Sequence, residues 1–179
     1  MSTISKAFLT SRSQTWATPW TVIRALGSEG FKFTLDVSAS PETAKAAKFY
    51  TEEKNNAWSS DWVEDSIGGD IWCNPPYGDP RYPVKHWVLA AWSIRNLVRT
   101  VLLLPANKTD QDWFHDLVIP HGQYRPVRGR IGFLDGQGKP VSGNSQGSML
   151  IIFGPGIKPC PPVTFDYRTI RKMEKVKSC

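Results

Sequence analysis

At residues 74–77 the chain reads Asn-Pro-Pro-Tyr, directly after the apolar run Ile71-Trp72-Cys73. Two consecutive prolines stiffen the backbone and bring no N–H groups that would compete for nearby acceptors. The Asn74 amide oxygen and the Pro75 carbonyl therefore offer two acceptors on a rigid turn. Acceptors on both hydrogens of a planar, conjugated amino group draw its nitrogen toward tetrahedral geometry. They also stabilise the positive charge that develops as that nitrogen attacks an electrophile. Tyr77 adds an aromatic face on which a flat ring can stack. The same residues also make a plain strand-ending turn, because a proline cannot continue a sheet ladder. Open α/β sheets bind their ligands at the carboxyl ends of strands, so the surrounding elements bear on which reading holds.

Those elements alternate. "TPWTVIRALGSEG" (18–30) predicts a short helix with Thr18 as its N-cap, Pro19 in the first turn and Val22, Ile23 and Leu26 on one face. "FKFTLDV" (31–37) alternates as a strand, "SASPET" turns, and "PETAKAAKFY" (41–50) offers a helical turn or two. Residues 70–73 form the strand that leads into Asn74. In "PVKHWVLAAWSIRNLV" (83–98), Val84, Trp87, Val88, Ala91, Trp92 and Val98 fall at helical spacing. "TVLLLP" (100–105) is the continuous apolar run of a strand covered on both faces. "TDQDWFHDLV" (109–118) predicts another helix, with Trp113 and Phe114 in the core. Two late strands are expected around "RIGFLD" (130–135) and "SMLIIFG" (148–154), flanking a loop rich in Gly, Ser and Asn. The pattern predicts an α/β fold: a mostly parallel sheet flanked by helices, with the late hairpin adding antiparallel strands at one edge.

With 179 residues, 40% of them hydrophobic and eight of them tryptophan, the chain is a single folded domain rather than a disordered one. Residues 1–11 and 168–179 are expected to be loosely held ends. No apolar stretch has membrane-spanning length, and the first residues lack the apolar centre of a signal peptide, so a cytoplasmic protein is expected. The three cysteines include no CxxC pair, and His86, His115 and His121 lack metal-ligand spacing, so no metal is expected. The net charge of +6 points to a polyanionic partner. Arg125, Arg128 and Arg130 cluster beside aromatic residues, whereas the basic tail reads as a solvated terminus. Neither a GxGxxG dinucleotide fingerprint nor a GxxxxGK[ST] phosphate loop occurs.

Five segments follow one another in a telling order: W-x-T-P from Trp16, D-V-x-A-S from Asp36, N-P-P-Y from Asn74, L-L-P-A from Leu103 and G-R-I-x-F from Gly129. In these segments, spread over nearly the whole span from Trp16 to Phe153, the chain resembles phage-type DNA N-6-adenine methyltransferases. The resemblance implies a Rossmann-like methyltransferase fold and S-adenosylmethionine as cofactor. It implies methyl transfer to the N6 amino group of adenine in double-stranded DNA, with the target base flipped out. Asn74, Pro75, Pro76 and Tyr77 are then the catalytic residues. Trp16, Thr18 and Pro19 would hold the cofactor's methionine end, with helix N-terminal N–H groups on its carboxylate. Asp36, with Ser38 and Ala39, matches the cofactor loop, where its carboxylate would pair with the methionine ammonium; the loop lacks the glycines common among wider relatives.

Within "TEEKNNAWSSDW" (51–62), Asn56 is the candidate contact to the cofactor's adenine and Asp61 a second candidate, although this stretch with Glu52 and Glu53 also reads as a solvated loop. On the substrate side the candidates are Tyr77, Asn107 and Lys108, with Thr109 and Asp110 beside them. Arg128 and Arg130 are candidate phosphate contacts. Phe133 is a candidate second stacking partner that reads equally well as core. The family context implies modification of phage or prophage DNA against restriction. Two other readings stay open: a protein-glutamine N5 methyltransferase, since Asn-Pro-Pro-Tyr also suits an amide nitrogen, and a nucleic-acid-binding module without catalysis. So short a chain leaves no room for a separate target-recognition domain, so residues 123–147 are expected to read a short or relaxed DNA motif.

Overall fold

The computed structural model describes residues 16–51, 57–141 and 146–177. Its strands are β1 (Phe33–Asp36), β2 (Lys48–Phe49), β3 (Asp70–Cys73), β4 (Thr100–Pro105), β5 (Gln123–Pro126) and β6 (Ser148–Phe153). They form one sheet in the order β2-β1-β3-β4-β6-β5. The pairs β2–β1, β1–β3 and β3–β4 are parallel, whereas β6 runs antiparallel to both β4 and β5. Only β6 is therefore reversed. Antiparallel pairing is present as expected, but β6 pairs with β5 (Gln123–Pro126) rather than with residues 130–135; the edge strand β5 points the same way as the body of the sheet, and the reversed strand lies inside it.

Helices cover both faces: α1 (Trp20–Ser28), α2 (Trp62–Asp65), α3 (Val84–Ser93), a π-helical segment Phe114–Val118 that runs into α4 (Ile119–His121), and α5 (Tyr167–Lys177). Side chains alternate across a strand, and β4 and β6 use both sides. Val101, Leu103, Leu150 and Ile152 pack with Val22, Ile23 and Leu26 of α1 and with Phe165 and Tyr167. Leu102, Leu104, Met149 and Ile151 pack with Trp87, Val88 and Ala91 of α3 and with Phe114 and Val118. Burial on both faces is why these two strands read as unbroken apolar runs. The result is a mixed α/β architecture consistent with a methyltransferase-like fold.

One local expectation is met in its shorter form and two change. In residues 41–50 a single helical turn forms, with Ala44 N–H donating to Ser40 O at 3.0 Å. It stops there because Lys45 N–H donates instead to the Asp36 carboxylate at 2.9 Å, and the chain continues into β2. "RIGFLD" is not a sheet strand: the place beside β6 is taken by β5, and Leu134 makes only isolated bridges to Ala17 and Pro140 while Ile131 and Phe133 cover the sheet. The basic tail folds as α5.

At the amino ends of the parallel strands, Asp70 opens β3 and is only 3% exposed. Arg99 grips its carboxylate with two bonds of 2.6 and 2.8 Å, and Lys32 N–H donates a third at 2.7 Å. Arg99 also lies over the Phe31 ring, 4.8 Å from its centre. At the carboxyl ends the connectivity matters most. The chain leaves β1 for β2 on one side, then crosses back to β3 on the other. The ends of β1 and β3 thus flank a topological switch point, the crevice where open α/β sheets take ligands.

Candidate active site

β1 delivers Asp36 to this crevice. Its side chain is 2% exposed, and among the described residues its oxygens accept only backbone N–H groups, from Ser38 at 3.2 Å and Lys45 at 2.9 Å. Burial pushes its pKa up to about 7, against the smaller opposing effects of those two N–H groups and of the Lys45 charge. The loop is held open by further backbone bonds: Val37 N–H donates to Trp72 O at 3.1 Å and Ala39 N–H to Tyr50 O at 3.0 Å. Lys45, also buried, lies 4.8 Å from the centre of the Trp20 ring at the start of α1. Its own burial lowers its pKa, with Asp36 acting in the other direction. The contact ties the β1 loop to the first residues of α1.

Those first residues hold an orphan. Pro19, not Thr18, is the N-cap of α1, and no side chain caps the helix. Thr18 is 2% exposed, and among the described residues its hydroxyl has no hydrogen-bond partner. The expected cap is therefore corrected: a residue before the N-cap cannot reach the helix N–H groups in the usual way. Pro19 is buried beside it.

β3 delivers Asn74, and both ends of its amide are held. The Asn74 Nδ2 group donates to the Trp16 carbonyl at 2.8 Å, and the Tyr77 hydroxyl donates to Asn74 Oδ1 at 2.9 Å. Trp16 O can only accept, so this network fixes which way the amide faces. The Tyr77 oxygen also stands 3.0 Å from Leu103 O at the end of β4. Burial raises the Tyr77 phenol well above its ordinary pKa, which keeps it a neutral donor. The Pro75 residue is buried, and among the described residues no hydrogen bond reaches its carbonyl.

The N-terminal segment thus bridges the two strand ends, and it is itself anchored. Ala17 pairs with Leu134 through bonds of 2.8 and 3.0 Å, and the Trp16 ring packs 5.5 Å from that of Phe133. The expected site residues Trp16, Thr18, Pro19, Asp36, Ser38, Ala39, Asn74, Pro75, Pro76 and Tyr77 accordingly gather at one end of the sheet. Asn107 and Lys108 join them in a 3-10 turn (Ala106–Lys108) that follows β4, the neighbour of β3; Asn107 is exposed and Lys108 half-buried.

Two candidates do other work. Asp61 is the N-cap of α2, its Oδ1 accepting from Val63 N–H at 2.9 Å and Glu64 N–H at 3.1 Å, so one of its two oxygens has a structural task. Phe133 is 2% exposed and serves as the floor under Trp16, with no open face for a base. Arg128 and Arg130 are exposed beyond the end of β5, and Arg128 leans toward Asp166 at 3.9 Å. Asn56, with Glu52 and Glu53, lies outside the described residues. Among the described residues no group of three His, Cys, Asp or Glu side chains could hold a metal, and no helix is long and apolar enough to cross a membrane. Lys45 is the residue that the sequence pattern concealed, since an alanine-rich stretch gives no sign of a bond back to Asp36.

Comparison with known proteins adds one match. A family model described as DNA N-6-adenine-methyltransferase (Dam) matches residues 5–177, nearly the whole chain. No curated protein and no solved structure matches it.

Proposed function

The chain belongs to the DNA N-6-adenine-methyltransferase (Dam) family and is thereby an adenine-N6 DNA methyltransferase; from that premise we propose that S-adenosylmethionine is its methyl donor and that the ends of β1 and β3 carry the reaction. The observation that carries the reading is the Asn74 amide, clamped by Trp16 and Tyr77 at a topological switch point. When bound, S-adenosylmethionine supplies an electrophilic methyl group on a positively charged sulfur.

The residues present suit that donor. Asp36 is a buried carboxyl with no side-chain donor bonded to it, so an ammonium group would find a partner there. The unpartnered Thr18 hydroxyl and the first N–H groups of α1 suit a carboxylate. An unsatisfied buried hydroxyl costs about 1–3 kcal/mol, and a ligand that bonds to it removes that cost.

On the substrate side, Asn74 Oδ1 keeps acceptor capacity after receiving the Tyr77 hydroxyl, because an amide oxygen has two lone pairs. Together with the Pro75 carbonyl it would accept the two N6 hydrogens of a flipped-out adenine. The amine lone pair, otherwise delocalised into the ring, would then be available to the methyl carbon as its bond to sulfur breaks and the electron pair stays on the departing S-adenosylhomocysteine. Both oxygens would stabilise the charge on nitrogen until one N6 proton is lost to solvent. Tyr77 acts twice in this account. Its hydroxyl orients Asn74, and its half-buried ring borders the space for the base. Arg128 and Arg130 would meet phosphates, and the loops within residues 123–147 would read a short DNA motif. The family context adds the role of protecting phage or prophage DNA from restriction.

Incubation with methyl-labelled S-adenosylmethionine and an adenine-containing duplex, followed by nucleoside analysis, tests the reading. N6-methyladenine is the expected product. Label on glutamine of added protein, with none on the duplex, would overturn it.

A further inference from the structure

A second cleft lies at the same end of the sheet, away from Asn74. It encloses about 480 Å³ between the chain leaving β5, the chain entering β6 and the first turns of α5, and its walls include Gly129, Arg130, Gly147, Arg168, Arg171 and Lys172. Gly147 O accepts Ala106 N–H at 2.9 Å, and Ala106 follows the β4 strand whose Leu103 carbonyl meets the Tyr77 hydroxyl. The cleft and the Asn74 turn are therefore linked across the end of β4.

The basic wall is rigidly set. Phe165 extends the sheet edge: its N–H donates to Pro126 O at 3.0 Å and its carbonyl accepts Arg128 N–H at 2.9 Å. Phe165 and Tyr167 are each 4% exposed and anchor α5 in the core. Asp166 caps the helix, accepting Arg168 N–H at 3.1 Å and Thr169 N–H at 3.3 Å. Residues 168, 171 and 172 are spaced i, i+3 and i+4 and so share one helix face. Arg168 lies across Gly129, where φ is +101° and a Cβ would stand 2.7 Å from Arg168 Cγ. Glycine is needed there on both counts.

Among the side chains the structure describes, which on α5 end at Met173, no carboxylate pairs with Arg130, Arg168, Arg171 or Lys172, while the neighbouring Arg128 is drawn to Asp166. Like charges gathered on a fixed wall repel one another, and a polyanion relieves that repulsion. Resting on the adenine-DNA reading above, we infer that this cleft seats the phosphodiester backbone of the substrate duplex. The strand that delivers its adenine to Asn74 crosses the end of β4, and its phosphates meet Arg130, Arg168, Arg171 and Lys172. Contacts of this kind set register and affinity and carry no sequence information.

The test uses the full chain, a labelled adenine-containing duplex and the double variant R171A/K172A beside R171K. Each phosphate contact adds about 0.9 to the slope of log affinity against log salt, so the double variant should flatten the slope by about 1.8. Its loss of kcat/KM should fall mainly on KM for the duplex, with S-adenosylmethionine affinity unchanged. R171K should keep the parental slope. A double variant with the parent's melting curve and the parent's slope overturns the inference while leaving the methyltransferase reading intact. A parent that makes no N6-methyladenine removes the reading and the inference together. Displacement of the duplex by adenosine monophosphate at concentrations equal to the duplex would make this a mononucleotide site and likewise overturn it.

Discussion

Two buried aspartates occupy neighbouring strands, at opposite ends of the sheet. Asp70, at the start of β3, is 3% exposed; Asp36, at the end of β1, is 2% exposed. Asp70 has a two-pronged arginine, Arg99, and a backbone N–H as well. Asp36 has backbone N–H groups alone, and burial raises its pKa to about 7. A buried carboxylate with a full set of partners is closed to ligands and locks the fold. One that lacks a bonded cation is held in an unfavourable state that a ligand can relieve. The difference separates an end of the sheet built for stability from one left open for chemistry.

Breaking the lock should have the largest effect. Arg99→Ala leaves the Asp70 carboxylate buried without its partner and should destabilise the protein by about 3 kcal/mol in urea unfolding. Equal stability of variant and parent would dissolve the contrast. Asn74→Ala should do the reverse: a melting curve like the parent's, with turnover lower by about 10²–10³ because a preorganised acceptor is gone. Single-turnover methylation of a duplex reads this directly, and a folded variant with parental rates would remove Asn74 from the reaction.

The Asp36 prediction has a sign for each property. Its native pKa of about 7 exceeds the ordinary 3.8, so between those values the folded protein holds more protons than the unfolded chain. Its contribution to the stability of the ligand-free protein therefore declines as pH rises across that window and levels off above it. Affinity for S-adenosylmethionine should run the other way, rising about tenfold from pH 6 to pH 8 as Asp36 ionises. Asp36→Asn should flatten both profiles, and calorimetric titration at several pH values would expose a profile that stays unchanged. Tyr77→Phe should have the smallest effect, a loss of about fivefold in turnover for one hydrogen bond worth about 1 kcal/mol. Tyr77→Ala should lose more, since base stacking adds roughly 1–3 kcal/mol.

What the sequence could disclose depended on whether the cause was local. The apolar runs of β4 and β6, the start of α3 and the proline turn after Cys73 are written in short windows, although α3 ends at Ser93 rather than continuing to Val98 as its spacing predicts. The five ordered segments disclosed the family. The clamp on Asn74 was hidden, because one of its partners, Trp16, is 58 residues away in the chain. Lys45 was hidden by a bond to a residue nine positions earlier. Asp61 was legible in a second way: Asp-Trp-Val-Glu is a helix-capping pattern, which gives one oxygen of that carboxylate a structural task. Phe133 sits in a segment that resembles a strand, yet lies on the sheet rather than in it, and burial follows from that crossing. The basic tail read as a solvated end, and neither its folding as α5 nor its docking through Phe165 was legible.

The reversed strand β6 also sets an order of assembly. Its residues 148–153 pair with β4 on one side and β5 on the other, yet among the described residues they are the last full strand of the sheet. During synthesis, the apolar β4 and the more polar β5 must wait with unpaired edges until this segment leaves the ribosome and slots between them. A nascent chain stalled before residue 148 therefore presents the open edge of β4 to any other strand nearby. Ladder pairing that closes so late makes the final fifth of the chain the step that commits the whole sheet, and makes truncation there a route to aggregation rather than to a smaller folded protein.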